Sequence, residues 1–323
     1  MSINEIANLA GVSKSTVSRY LNGGYVSDSA KEKIKKVINE TGFKPSIAAK
    51  ALRTKVTKQI GVIIPKLNSD SISKMVAGIT EVLRNNGYYL LLANVDNNEE
   101  LEINYLSLFN ENHVDGIIYI ASVFTEKHNK ALKKVNVPLV ILSQYHKDYP
   151  CVYFDNFNAS KEITKVLLKG HKYPGLISAR LDDISAGKER QDGFYDALKE
   201  MNLDVFGVEY SKFSIQEGAL ACKRLIEKNP KVDAIFATTD SIAVGALTYL
   251  LDIGKKVPEE VSIVSVGGGS SIRITNPRIT SANLEYYESG RKSANIILSI
   301  IKKEDIQTKV KTSFKIQIQQ TTL

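Results

Sequence analysis

The sequence predicts two architectures in one chain: an all-α helix-turn-helix head over residues 1–58, and an α/β body over residues 59–323 built as two lobes with parallel sheets. Three observations predict this. The 323 residues exceed the roughly 100–200 of a single domain, so two or three domains are expected. The net charge of +8 is unevenly placed. Residues 1–58 hold 11 Lys/Arg against 4 Asp/Glu, while the other 265 residues hold 32 against 31. A small basic head is thus joined to a nearly neutral body. Third, the apolar pattern changes near residue 59, from helical spacing to short β-branched runs that alternate with helical stretches.

Composition narrows the class. An apolar fraction of 43% with 24% charged residues excludes a disordered or collagen-like chain. No run of 18 apolar residues offers a membrane span. The opening MSINEIANLA lacks the basic and apolar regions of a secretory signal. Cys151 and Cys222 form no metal-ligand spacing and read as buried thiols of a reducing compartment. The expectation is a cytoplasmic, nucleoid-associated protein.

In the head, Ile3, Ile6, Ala7 and Ala10 recur at helical spacing behind Ser2 as N-cap. Gly11 supplies a left-handed stop, and Ser13 caps a second helix from Lys14 to about Leu21, with Val12, Val17 and Leu21 facing inward. A third helix begins near Ser27 or Ser29, where Ser29-Ala-Lys-Glu32 reads as a capping box. It buries Ile34, Val37 and Ile38 and stops at Gly42. Two short helices around a glycine turn form a helix-turn-helix, whose second helix fits the major groove. Lys14, Ser15 and Arg19 are then placed at base edges, and Thr16 and Ser18 at phosphates. The competing reading is a solvated surface helix with ordinary caps.

In the body, strands are expected at 60–65, 88–93, 114–120, 138–142, 151–154, 174–178, 232–237 and 261–266. Helices are expected at 72–86, 98–111, 125–135, 158–170, 187–201, 215–229, 240–253 and 286–302. Continuous apolar strands alternating with helices argue for parallel sheets covered on both faces. The strands are too many for one compact sheet, hence two lobes. Val114-Asp-Gly-Ile-Ile-Tyr-Ile echoes Val232-Asp-Ala-Ile-Phe-Ala-Thr, which agrees with a repeated lobe. Ligands of such sheets sit beyond the carboxyl ends of the strands. This places Asn68, Ser69, Ser71, Ser143, Gln144, Asp155, Asn156, Thr239 and Asp240 near a cleft. Such polar groups suit a polyhydroxylated ligand. Each is equally readable as a helix N-cap, Asp240 above all, for a helix over 241–253.

The stretch Ile3-Asn-Glu-Ile-Ala-Asn-Leu-Ala-Gly-Val-Ser-Lys-Ser-Thr-Val-Ser-Arg-Tyr-Leu-Asn22 resembles the opening of the LacI family of bacterial repressors. Gly42-Phe-Lys-Pro-Ser-Ile-Ala-Ala-Lys-Ala-Leu-Arg-Thr54 resembles that family's hinge, and Ile60-Gly-Val-Ile-Ile-Pro65 the first strand of its sensor. Within the family, Leu90–Asn94 and Val114–Ile118 resemble the sucrose-operon branch. The resemblance implies a DNA-facing set of Ser13, Lys14, Ser15, Thr16, Ser18, Arg19 and Asn22. It also implies a hinge helix over about 46–53 that orders on DNA in a dimer. There Leu52 wedges into the minor groove and Ala48 and Ala49 let two hinges pack. Eight residues are too short to hold a helix alone, and a flexible Ala/Lys linker is the other reading.

For the body the resemblance implies two periplasmic-binding-protein-like lobes, with crossings near 155–159, 281–286 and 307–312. Lobe one is about 60–156 and 284–308; lobe two is about 157–282 and 309–323. Arg190 matches an effector-contacting arginine. Phe154, Phe213 and Tyr286 match aromatics that line the sugar pocket, and Asp155 the polar residue after the crossover strand. Two departures stand out. Thr239-Asp240 replaces a common Asn-Asp, and Val266-Gly267-Gly268-Gly269-Ser270 lacks a common Asp. Losing that carboxylate and exposing backbone amides can create an anion nest, which adds a sugar phosphate to the possible effectors. A flexible loop is the alternative.

The implied function is sequence-specific repression of a carbohydrate-utilisation operon. The implied partners are pseudo-palindromic double-stranded operator DNA, a sugar or sugar-phosphate effector between the lobes, and a second copy in a homodimer or higher oligomer. No membrane, cofactor or metal is expected. Nor is catalysis: GxSxG, GxxxxGK[ST], HExxH and a Cys/His cluster are absent, and His113, His128, His146 and His171 are scattered. Two alternatives remain: a protein-corepressor-dependent catabolite regulator of the same fold, and a sugar-binding transport protein, which would lack the basic head.

Overall fold

The computed structural model describes residues 1–21, 23–43, 56–112 and 114–323. The chain divides into two units, Met1–Thr57 and Lys58–Leu323. Asn22, His113, and the expected hinge helix with Ala48, Ala49 and Leu52 lie outside the described residues.

In the first unit, α1 (Ile3–Ala10) starts with a capping box between Ser2 and Glu5. It stops because Gly11 turns left-handed at φ 61°. The Gly11 and Val12 amides then donate back to Asn8 O and Ala7 O at 3.2 and 3.1 Å. In α2 (Lys14–Leu21) the Thr16 amide donates to Ser13 Oγ at 3.1 Å. The third helix, α3 (Asp28–Thr41), is capped by Ser27, whose Oγ accepts from the Ala30 amide at 3.4 Å. Ser29 already lies inside the helix, so the expected box from Ser29 to Glu32 does not form there. Ile6, Ala7, Ala10, Val17, Ile34, Val37 and Phe43 make the buried core, ringed by half-buried Ile3, Val12, Tyr20, Leu21 and Ile38.

The second unit holds two six-stranded sheets. The first contains β1 (Gln59–Ile64), β2 (Tyr89–Asn94), β3 (Gly116–Ile120), β4 (Leu139–Ser143), β5 (Cys151–Phe154) and β11 (Lys309–Thr312). Its order is β11-β5-β4-β3-β1-β2, all parallel. The second contains β6 (Pro174–Ser178), β7 (Gly207–Tyr210), β8 (Ala234–Ala237), β9 (Ser262–Gly267), β10 (Thr280–Leu284) and β12 (Phe314–Gln317). Its order is β12-β10-β9-β8-β6-β7, parallel except for the antiparallel β10–β12 pair. Every residue of β3, β8 and β9 is buried, as strands covered on both faces require. The covering helices of the first lobe are α4 (Asp70–Asn85), α5 (Glu99–Glu111), α6 (Glu126–Leu132) and, from late in the chain, α11 (Tyr286–Lys302). The second lobe has α7 (Asn156–Leu167), α8 (Arg190–Glu200), α9 (Ile215–Lys228) and α10 (Asp240–Asp252).

Four strands lie outside the expected list, β7, β10, β11 and β12, and three of them show why. β7 is a four-residue, part-exposed edge with no apolar run to mark it. β10 has a polar sequence, yet Thr280 and Ser281 are fully buried; the Thr280 amide donates to Thr321 Oγ1 at 2.9 Å. β11 was expected in lobe two with the rest of the C-terminus. It pairs instead with β5 in the first sheet, because the Cys151 amide donates to Thr308 O at 2.7 Å and starts a parallel ladder. The chain leaves that sheet only at Ser313, between β11 and β12. No helix among the described residues is long and apolar enough to cross a membrane.

Candidate functional site

The head presents one face of α2. Val17 is fully buried and fixes the helix on the core. Lys14, Ser15 and Arg19 are exposed, and Thr16 and Ser18 are half-buried. Ser13 Oγ lies 2.7 Å from Ser15 Oγ and 2.8 Å from Thr16 Oγ1, so three hydroxyls cluster at the positive end of the helix. Among the described residues of the head the only ion pair is Lys36–Glu40, so Lys14 and Arg19 keep their charge uncompensated.

In the body, one of the expected cleft residues, Asn156, meets Arg190, the first residue of α8, which follows a π-helical turn over Ile184–Glu189. Arg190 is 5% exposed, and its guanidinium has no carboxylate within ion-pair distance among the described residues. Nε donates to Asn156 Oδ1 at 2.8 Å, and Nη1 donates to Thr238 O at 2.7 Å and Val266 O at 3.1 Å. One cation thus ties the start of α7 to the carboxyl ends of β8 and β9. The ring of Phe154, at the end of β5, meets Tyr286 edge-on at 5.1 Å. Burial pushes the Tyr286 phenol up, while Arg190 opposes this and Asp240 and Asp70 add to it.

The glycine run is not a free loop. The Gly269 amide donates to Asp240 Oδ2 at 2.6 Å, and Ser265 Oγ donates to Asp240 Oδ1 at 2.6 Å. The Ser270 amide and Oγ donate to Asp70 at 3.0 and 2.7 Å. Lys74 Nζ pairs with Asp70 at 2.9 Å and donates to Gly268 O at 3.1 Å. Two amides of the expected anion nest and its rim, those of Gly269 and Ser270, are therefore already taken by the chain's own carboxylates. A side chain at Gly267 would run into the Asp240 carboxylate, so the glycine permits this approach. Burial works against the charge of Asp70, but the Lys74 and Ser270 bonds hold its carboxyl below the ordinary range. Asp240 is not the N-cap expected of it. Thr239 caps α10 by accepting from the Ile242 amide at 3.4 Å, which leaves Asp240 to reach the loop.

Further contacts cross between the lobes. Gln144 Nε2 donates to Asp183 Oδ1 at 3.0 Å. Ser185 Oγ lies 2.9 Å from both Ser143 O and Gln144 Oε1. Ser143 sits at φ 85°, a strained backbone for a residue with a side chain. Lys66 Nζ donates to Phe213 O at 3.2 Å and lies over the Phe213 ring. Ser69 Oγ lies 3.0 Å from Ser71 Oγ at the start of α4. Asp155 is taken up locally: Asn158 Nδ2 donates to both its oxygens at 3.0 and 2.9 Å, with Lys311 at 3.7 Å. Sequence reasoning missed Asp70, Lys74, Asp183 and Ser185. Asp70 and Lys74 are spaced like any i,i+4 helix pair, and their partners lie about 200 residues away.

Burial pushes the Asp183 carboxyl above its ordinary value of 3.8, against bonds from the Ala186 amide and Gln144 and the charge of Arg190. A carboxyl raised on folding binds its proton more tightly in the folded state. Its stabilisation is therefore present in acid and lost as pH rises through the folded value. Asp183→Asn should give a melting temperature that falls less than the wild type's between about pH 4 and pH 7. A variant with the wild-type slope would show that Asp183 is not the group responsible.

A helix-turn-helix joined to a two-lobed body whose lobes meet through polar side chains at their strand ends defines a class of protein: a ligand-controlled, DNA-binding transcription regulator. Its family follows from comparison. Residues 2–46 match the family described as bacterial regulatory proteins, lacI family, and residues 57–321 match periplasmic binding proteins and sugar binding domain of LacI family. The chain belongs to the LacI family. It is 32% identical to the sucrose operon repressor of Staphylococcus xylosus over 309 residues, 95% of this chain and 96% of that protein. It is 29% identical to the catabolite control protein A of Streptococcus mutans over 317 residues, 96% and 94% of the two chains. In fold it matches the lac repressor dimer bound to operator and the anti-inducer ONPF, with a TM-score of 0.92 at 20% identity over 100% of this chain and 99% of that one. These relatives are regulators of transcription and not enzymes.

Proposed function

We propose that the protein is a cytoplasmic, non-enzymatic repressor of a carbohydrate-utilisation operon. It binds pseudo-palindromic double-stranded DNA as a homodimer and releases it when an uncharged sugar enters the cleft. In the head, Lys14, Ser15 and Arg19 read base edges, while Ser13, Thr16 and Ser18 engage phosphates. The roles of Asn22, Ala49 and Leu52 at the DNA rest on the family resemblance. In the cleft, Arg190 donates to sugar hydroxyls, Phe154, Phe213 and Tyr286 pack on the ring, and Ser69, Ser71, Ser143, Asp155 and Asp240 supply polar partners.

One observation carries the choice of an uncharged sugar over a sugar phosphate. Two of the loop amides that could hold a phosphate, those of Gly269 and Ser270, are taken by Asp240 and Asp70. A phosphate would have to displace those carboxylates and then lie among them, with Lys74 and Arg190 as the compensating charges. Neutral hydroxyls can donate to the same carboxylates. The dimer reading is supported by β2, an edge strand on which Tyr89, Leu91 and Leu92 stay exposed. The sugar acts by its differential affinity for two lobe arrangements, which differ in whether Asp70 and Lys74 grip the 268–270 loop.

The test starts with selection of duplexes from a random pool by the full chain. Free sugars and sugar phosphates are then screened for a raised melting temperature and for release of the selected duplex. An uncharged sugar should do both. Response to phosphorylated sugars alone would reject the effector assignment, and failure to enrich any duplex would reject the DNA-binding assignment.

A further inference from the structure

The turn that ends α2 has the same bonding as the turn that ends α1, but a different residue stands over the helix. After α1, Gly11 takes the left-handed conformation and the following amide, that of Val12, donates to Ala7 O at 3.1 Å. Val12 then drops its side chain onto the core. After α2, Gly23 takes the left-handed conformation at φ 70° and its amide donates to Tyr20 O at 3.1 Å. The next amide, that of Gly24, donates to Arg19 O at 2.9 Å. In this motif the residue after the left-handed one lies against the residue five positions earlier, and the two side chains commonly touch. Here the earlier residue is Arg19, on the exposed face of α2. A Cβ at position 24 would lie 2.7 Å from Arg19 Cγ, 3.3 Å from Arg19 O and 3.7 Å from Arg19 Cδ. Non-bonded carbons normally approach to about 3.5–4.0 Å. The clash at Cγ, so near the backbone, is relieved by swinging the arginine stem into another rotamer, while the 3.3 Å approach to Arg19 O asks for a shift of a few tenths of an ångström.

We propose that Gly24 is a positioning residue for DNA sequence recognition: by carrying no side chain it keeps the stem of Arg19 in the direction that brings the guanidinium to its base edge. The proposal rests on the reading of α2 as the DNA-reading helix. Gly24, unlike Gly23, does not have a left-handed φ, so alanine fits its backbone without strain. Apart from a small shift at Arg19 O, the cost of Gly24→Ala falls on the Arg19 side chain.

The experiment uses the full-length chain and a duplex selected by the wild-type protein from a random pool. Affinities are measured for that duplex and for non-specific DNA, with wild type, Gly24→Ala, Arg19→Ala and the double variant. Gly24→Ala should bind the selected duplex about tenfold more weakly or worse, as the loss of one base contact implies. Its non-specific binding should stay close to wild type. In the Arg19→Ala background, adding Gly24→Ala should cost nothing further, since the group it misplaces is gone. Multiplying losses in the double variant would overturn the proposal, as would wild-type affinity of Gly24→Ala. Loss of non-specific binding by Gly24→Ala would also overturn it, by making the glycine a requirement of the fold. Failure of the wild-type chain to select any duplex would instead strike the DNA-binding reading itself.

Discussion

Arg190→Ala is expected to abolish the response to sugar while operator binding survives. Arg190 is the point at which α7, α8, β8 and β9 meet, through bonds to Asn156 Oδ1, Thr238 O and Val266 O. Hydrogen bonds from a charged donor are worth about 1.5–3 kcal/mol each, and the buried acceptors left behind keep their desolvation cost. Loss of even two such bonds to sugar hydroxyls would lower effector affinity by roughly a hundredfold or more. The body should also soften. With about 2–4 kcal/mol of net destabilisation, its melting temperature should fall by roughly 5–10 °C, given the size of the unit. The head has its own core, from Ile6 to Phe43, so binding to the selected duplex should persist. Arg190→Lys should retain the charge and still lose most of the response, because an ammonium cannot reproduce the planar fork that reaches Asn156 and two carbonyls at once. The measurement is the sugar-induced thermal shift together with duplex release. A normal induction curve for Arg190→Ala would remove it from the effector site.

What could be read from the sequence divides along the range of the interactions. The first two helices of the head were legible because their signals are local: Ser2, Gly11, Ser13, and apolar residues at helical spacing. Even there the third helix chose Ser27 over Ser29 as its cap, a difference of two residues that periodicity does not settle. Strands such as β3 and β8 announced themselves by unbroken apolar runs. β10 did not, because its buried Thr280 and Ser281 are satisfied by partners far along the chain. The same holds for β11, whose sheet is decided by a neighbour more than 150 residues away. In the cleft, strand ends pointed to Ser143 and Asp240, and family resemblance pointed to Arg190, Phe154 and Tyr286. The bridge from Asp70 and Lys74 to the 268–270 loop was invisible. Each partner alone looks like a surface ion pair or a flexible glycine run, and only the fold brings them together. On the proposed reading that bridge bears on the effector, since Asp70 takes up the Ser270 amide that would otherwise be open to a phosphate.

The charge split sets the second large effect. Affinity for the selected duplex should fall steeply with salt, whereas affinity for the sugar should hardly change. Residues 1–58 carry a net +7, and a dimer brings two such heads to one operator. Each phosphate neutralised by Lys or Arg releases condensed counterions. Six to ten such contacts cost about 10³–10⁵ in affinity between 50 and 200 mM salt. The sugar site sits in a body with a net charge of +1 over 265 residues, and its one buried cation is solvated by carbonyl and amide oxygens. A neutral ligand there displaces no ion atmosphere. The check is a log–log plot of affinity against salt for both ligands on the same preparation. A flat DNA plot would mean that the basic head does not engage phosphates. A sugar plot as steep as the DNA plot would mean that the effector is charged, and the carboxylate-filled loop would then have to open to receive it.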